Sequence, residues 1–448
     1  METIAAISTP NAPGGIAMIR ISGDRALDVA AAVFQPVGAQ KVAEMRGYSC
    51  AYGYVYDGDE RLDDVILTVF RAPHSYTGED TAEITCHGGI YLSKRILRLI
   101  FAAGAAAAGP GEFTKRAFLN GKMSLTQAEA VMDVIAAEGE AALRQAETAR
   151  EGRLGREMQR ASEELVSLLA ALAYWMDDAE EFPPELEHSA LIAKITQIRD
   201  NLTSLSANYD NGRMVREGIR TVFLGLPNAG KSSLMNLLCG SRRSIVTDIP
   251  GTTRDIVREY VKINEFTLIL SDTAGIREST DEIEAIGVAD AMHEAEQADL
   301  VFYVIDSTNC VSEYDRELLN HLNRRRVLIL WNKTDRTETP PPDLPFSVLP
   351  TNALDVSTTD TIYHALHEMF ADACFSNQPC VMNERQNQLV LQAISALSSV
   401  LTALKQNAPL DMLFFDLESA ANLLEQIEGT NVSDSVMDEV FSKFCVGK

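Results

Sequence analysis

Nine consecutive residues, Gly225-Leu226-Pro227-Asn228-Ala229-Gly230-Lys231-Ser232-Ser233, have the types and spacing of a loop that holds phosphate. The glycines let backbone N–H groups converge on an anion at a helix N-terminus. Lys231 is placed to bridge β and γ phosphates, and the Ser232 hydroxyl to hold Mg²⁺. Farther on, Asp272-Thr273-Ala274-Gly275 follows the apolar run Thr267–Leu270. A carboxylate there supports the same Mg²⁺, and a backbone N–H can sense the γ-phosphate. Asn332-Lys333-Thr334-Asp335 follows the apolar run Val327–Leu330. The Asp335 carboxylate can accept both N–H donors of a guanine edge, which adenine does not offer, so the expected nucleotide is GTP rather than ATP. Between these motifs, Thr247-Asp248-Ile249-Pro250-Gly251-Thr252-Thr253 has the composition of a switch segment, with Thr253 as a second hydroxyl ligand to Mg²⁺. The order of the four elements is that of GTPases. The last guanine-contacting loop departs from the usual Ser-Ala, its nearest match being Thr351-Asn352-Ala353.

These loops need a scaffold of strands and helices. From about Arg220 to Phe370 apolar strands alternate with helices, the mark of a parallel sheet with crossover helices. Before it, residues 1–119 mix β-rich runs such as Gly15–Ile21 and Val65–Phe70 with one helical stretch, Tyr91–Ala103. The run Ala105–Ala108 is read as a compositional bias. At Ser124 a capping-box spacing to Gln127 starts helical periodicity that continues to about Asp177, broken near Gly152–Gly155. Asp177–His188 reads as a turn, and a helix follows from Ser189 to about Leu205. After Asn377 the helical pattern returns through Leu389–Leu404 and Asp411–Leu424. The fold expected is α/β and all-α, multidomain. It has an α+β N-terminal domain over 1–119, a helical domain in two parts (120–214 and 377–448), and a Ras-like P-loop domain over 215–376 inserted between them.

The chain has 448 residues, 46% hydrophobic and 23% charged, with a formal net charge of −25. That charge argues against a broad basic surface for nucleic acid, so an RNA role must use a local patch or a partner's positive charge. The seven cysteines are scattered without CxxC spacing, which suggests neither zinc nor disulfides and fits a reducing compartment. No secretory signal pattern opens the chain and no apolar run approaches the length of a bilayer span, so a cytoplasmic location without a membrane is expected.

Hydrolysis poses a question, because Ile276 stands where a Ras-type enzyme has its water-orienting glutamine and no arginine finger is identifiable. Asn228, inside the phosphate loop, offers another route to charge neutralisation. The stretch Ser244–Asp255 (SIVTDIPGTTRD), the PNAGKSS loop and the terminal Phe-Cys445-Val-Gly447-Lys448 resemble the MnmE (TrmE) family of tRNA-modification GTPases. So do Gly14–Gly23, Ser75–Gly89 and Pro110–Lys122, so the resemblance runs the length of the chain. It implies a homodimer formed through N-terminal domains and a partnership with the flavoprotein MnmG and FAD. It further implies G domains that pair on binding GTP with K⁺. The K⁺ ligands it implies are Asn228, Thr247, Ile249 and Thr252, with Ser232 and Thr253 on Mg²⁺ and Glu284 as the carboxylate that orients water. An N-terminal site for a tetrahydrofolate one-carbon derivative is implied at Arg20, Glu83 and Lys122, with Lys448 nearby. The implied product is a carboxymethylaminomethyl or aminomethyl group at C5 of the wobble uridine of certain tRNAs. Ala106 stands where family members usually have arginine.

Simpler readings stand beside these. Arg20 and Lys122 are also surface charges in type, and Glu284 sits among Asp281 and Glu282. Cys445 is either a thiolate nucleophile near lysines or a packed apolar residue. His87, beside two glycines, reads as a turn or packing residue. A ribosome-assembly GTPase would carry a basic RNA-binding module after the G domain, and residues 377–448 show none.

Overall fold

In the computed structural model, residues 2–39, 41–137, 139–177, 183–241, 258–264, 266–271, 293, 295–322, 326–375 and 381–447 are described. They fall into two compact units. One comprises Met1–Met132, Ala149–Thr196 and Gln392–Lys448; the other comprises Asp133–Thr148 and Gln197–Leu391.

In the first unit, alternation of apolar and polar residues builds a sheet with one buried face. Along β5 (Glu60–Phe70), for example, Val65, Leu67 and Val69 are buried while Ile66 faces outward. The other strands are β1 (Ile4–Ile7), β2 (Ile16–Ser22), β3 (Phe34–Pro36), β4 (Ser49–Asp57), β6 (Thr81–His87) and β7 (Ala106–Ala107), in the order β3-β4-β5-β6-β2-β1-β7. Helices Ala26–Val33 and Ile90–Ala102 contribute to the same core as Ile19, Ile21, Leu67 and Ile84. The pairs are antiparallel except β1 with β7. That strand lies within the alanine run read from sequence as mere bias: Ala106 and Ala107 pair with Ile4 and Ala5. Two alanines carry no alternation by which a strand could be recognised.

The helices of this unit come from distant parts of the chain. Ser124 and Gln127 form the expected capping box, with Gln127 Oε1 accepting the Ser124 N–H at 3.0 Å and Ser124 Oγ the Gln127 N–H at 3.4 Å. Helix Arg153–Asp177 packs against helix Phe414–Glu428, and Leu125 and Ala128 share a core with Met437, Val440 and Phe441 of helix Asp434–Ser442. Helix Glu384–Lys405 is, by length and composition alone, long and apolar enough to cross a membrane, contrary to the reading of the sequence. Its buried residues Val390, Ala393, Leu397, Val400 and Leu404 recur every three or four positions, which describes one packed face.

The second unit holds the sheet β13-β12-β11-β8-β10-β9. The strands are β8 (Ile219–Leu224), β9 (Arg258–Ile263), β10 (Phe266–Ser271), β11 (Leu300–Asp306), β12 (Val327–Asn332) and β13 (Ser347–Pro350). β11 and β12 are buried almost throughout, as inner strands of a sheet covered on both faces are. The sheet is parallel except at its edge, where β9 runs antiparallel to β10. Only residues 264 and 265 join these strands, too few for a crossover helix, and Asn264 turns with φ +53°.

Candidate nucleotide site

The phosphate loop leaves the C-terminal end of β8 and enters helix Lys231–Ser241, the strand–loop–helix arrangement its sequence requires. Gly225 has φ +135°, and a Cβ there would lie 2.2 Å from the carbonyl oxygen of Val304 on β11. Gly230 has φ +104°, and its Cβ would meet Asn332 Nδ2 at 2.2 Å. Both glycines are therefore demanded by close approach as well as by backbone conformation. Gly225→Ala should lower stability by roughly 3 kcal/mol or more, since strain and overpacking add; denaturant melts of the two proteins would measure it.

Lys231 reaches back across the loop, its ammonium donating to the carbonyl oxygens of Gly225 at 2.7 Å and Leu226 at 2.9 Å. Burial lowers its pKa below the ordinary lysine value. An anion among these groups would relieve that desolvation. The first helical N–H groups have no intrahelical acceptor and point to the same place. Ser232, Ser233 and Asn228 are exposed beside them, and Asn228 is left-handed, with φ +62°.

The guanine-type motif ends β12 and is tied to this loop. Asn332, buried, donates from Nδ2 to the carbonyl oxygen of Ala229 at 2.9 Å. Lys333 Nζ donates to the carbonyl oxygen of Asn228 at 2.8 Å and to Asp306 Oδ2 at 2.6 Å. Asp335 is exposed, its nearest ion partner Arg336 at 3.9 Å. The altered loop Thr351–Ala353 is braced by residues that its sequence does not announce. Thr358 Oγ accepts the Asn352 N–H at 3.1 Å and donates to the Asn352 carbonyl at 2.8 Å, while Thr334 Oγ donates to the Thr351 carbonyl at 3.1 Å. Asn332 Oδ1, Ser307 Oγ and Thr351 Oγ1 are buried without a hydrogen-bond partner at the ends of neighbouring strands. Unsatisfied polar atoms beside a cradle that a Cβ would fill suit a polar ligand with its own donors and acceptors. Thr247, Asp248, Ile249, Pro250, Gly251, Thr252, Thr253, Asp272, Thr273, Ala274, Gly275 and Glu284 lie outside the described residues, as does Lys448.

In the first unit Arg20 on β2 stands directly opposite Glu83 on β6, and its Nε donates to Glu83 Oε1 at 2.8 Å. The guanidinium lies over the rings of Tyr76 and Phe113, 5.4 and 5.6 Å from their centroids. Lys122 donates to the carbonyl oxygen of Pro73 at 2.9 Å. The loop 73–80 thus touches Arg20 through Tyr76 and Lys122 through Pro73. The chain terminus comes to the same body: Ser8 Oγ donates to the Gly447 carbonyl at 2.9 Å, Val446 bridges Pro110, and Gly111 N–H donates to the Cys445 carbonyl at 3.3 Å.

The family described as "MnmE helical domain" matches residues 125–445, and that described as "GTP-binding protein TrmE N-terminus" matches residues 3–122. A protein of Acetivibrio thermocellus named tRNA modification GTPase MnmE is 38% identical over 457 residues, covering 100% of this chain and 99% of that one. One of Bacillus subtilis with the same name is 37% identical over 461 residues, covering 100% of both. The chain belongs to the MnmE family. Among solved structures, Era of Aquifex aeolicus is 24% identical over 40% of this chain and 66% of that chain, with a TM-score of 0.26, too low to bear on the fold.

Within the MnmE pattern, two readings of single residues change. Cys445 is exposed, which removes the packing alternative. His87 neither turns nor packs: it ends β6, is exposed, and its Nδ1 lies 2.6 Å from Asp63 Oδ1. The hydrogen bond to that carboxylate raises the imidazole pKa above its usual value. Ala106 packs with Ile4 and Phe113, and Phe113 lies under Arg20. Thr358 and Asp306 escaped the sequence reading because neither belongs to a motif; only the fold brings them to the loops.

Proposed function

We propose that this chain is a GTPase acting in tRNA modification. The observation that carries this is a phosphate loop fastened by Asn332 and Lys333, in a chain that matches its MnmE relatives from end to end. Lys231 exchanges its contacts with the Gly225 and Leu226 carbonyls for phosphate oxygens, Asp335 accepts the guanine edge, and Ser232 offers its hydroxyl to Mg²⁺. Mg²⁺, when bound with Thr253, supplies charge neutralisation at the phosphates. Asn228, exposed on the loop, would help hold K⁺ with Thr247, Ile249 and Thr252, and that ion would supply the positive charge that an arginine supplies in other GTPases. Glu284 orients the attacking water.

The finer reading follows from family membership. The chain works as a cytoplasmic homodimer with MnmG and installs carboxymethylaminomethyl or aminomethyl groups at C5 of wobble uridine. A tetrahydrofolate one-carbon derivative binds at Arg20, Glu83, Lys122 and Lys448. The half-buried Glu83 carboxylate and the aromatic rings around Arg20 suit a flat heterocycle with N–H donors. Nucleoside mass spectrometry of tRNA from a strain lacking this protein should show loss of these modified uridines; an unchanged profile removes the tRNA role. GTP turnover should be several-fold faster in KCl than in NaCl, and equal rates would remove the K⁺ assignment.

A further inference from the structure

Asp306, the last residue of β11, belongs to none of the nucleotide motifs, yet its carboxylate is held on two sides. Oδ1 accepts the backbone N–H of Thr308 at 3.0 Å and the Thr308 hydroxyl at 2.7 Å. Oδ2 accepts from Lys333 Nζ at 2.6 Å, and the same ammonium donates to the carbonyl oxygen of Asn228 at 2.8 Å. One cation therefore joins the end of β11 to the turn of the phosphate loop. Asn228 and Lys333 itself both have left-handed backbones, φ +62° and +65°. For a side-chain-bearing residue that conformation is disfavoured by roughly 1–2 kcal/mol, and it persists where surrounding contacts fix it. Burial pushes the Asp306 carboxyl up, but the hydrogen bonds from Lys333 and Thr308 outweigh it and hold it below the usual range, so the group is ionised at neutral pH.

We infer that Asp306 is a positioning residue for the nucleotide site, acting through Lys333 to hold the Asn228 turn in the shape that presents the loop to phosphate. A lysine is a point charge on a flexible four-carbon stem. Beside a bound triphosphate it would be drawn to the phosphate oxygens. A fixed carboxylate, itself locked by Thr308, keeps the ammonium on the Asn228 carbonyl. This rests on the GTP-site reading above.

A double-mutant cycle on the full chain tests it, with GDP affinity read by titration calorimetry. Asp306→Asn keeps the shape and can still accept from Thr308, so folding is retained, yet it removes the charge that anchors Lys333. It is expected to weaken GDP binding about tenfold in the otherwise unchanged protein and to have no further effect in a Lys333→Met background. Losses that simply add would show a general effect on the fold and overturn the inference. Unchanged affinity in Asp306→Asn, with GDP still bound by the parent chain, would overturn it alone. Failure of the parent chain to bind GDP would sink the GTP-site reading and this inference together.

Discussion

Lys231→Ala is expected to reduce GTP turnover by about 10²–10³-fold, the usual effect of removing one preorganised group from developing charge. The ammonium is partly buried and held by two carbonyl oxygens, at 2.7 and 2.9 Å, that place it over the loop. Its charge is already desolvated, so a phosphate that replaces those carbonyls gains a strong partner with little reorganisation. Alanine leaves the loop amides and Ser232 in place, so the loss should fall on turnover more than on folding. Single-turnover kinetics with saturating GTP, alongside a thermal melt, separates the two. Turnover within tenfold of the parent would mean that phosphate is held elsewhere.

Asp335→Asn should weaken GTP binding about 100-fold. A carboxylate accepting two N–H donors forms charge-assisted hydrogen bonds worth about 1.5–3 kcal/mol each, and each 1.4 kcal/mol is a factor of ten. Asp335 is exposed at the end of the β12 loop, free to meet a base. The asparagine presents an amide donor in place of one acceptor, so the variant should gain affinity for xanthosine triphosphate, whose base carries a carbonyl where guanine has its amine. Measured dissociation constants for the two nucleotides decide the matter. An unaltered preference for GTP would remove Asp335 from base recognition.

Much of the nucleotide site could be read from sequence because its parts are local. A glycine, a lysine and a hydroxyl within nine residues bring their own geometry, and Ser124 with Gln127 specified its helix start in the same way. The edge of the sheet was not legible in this way: the direction of β9 is set by the two-residue connection at Asn264, which makes it antiparallel to β10. The Ala106–Ala107 strand was illegible because it exists only as a partner to β1.

The sequence by itself determined the candidate chemistry: which residues are proposed to contact phosphate, which carboxylate is proposed to read guanine, and to which family the pattern belongs. Tertiary structure alone decided how those residues are held. Asp306 meets Lys333 across 27 positions, Asn332 meets Ala229 across 103, and Ser8 meets Gly447 across 439. Contacts of that span depend on strand order and on the ends of neighbouring strands meeting, and no window of sequence contains both partners. Motifs persist in sequence because their backbone geometry is self-contained, whereas the supports around them are defined only once the sheet has closed.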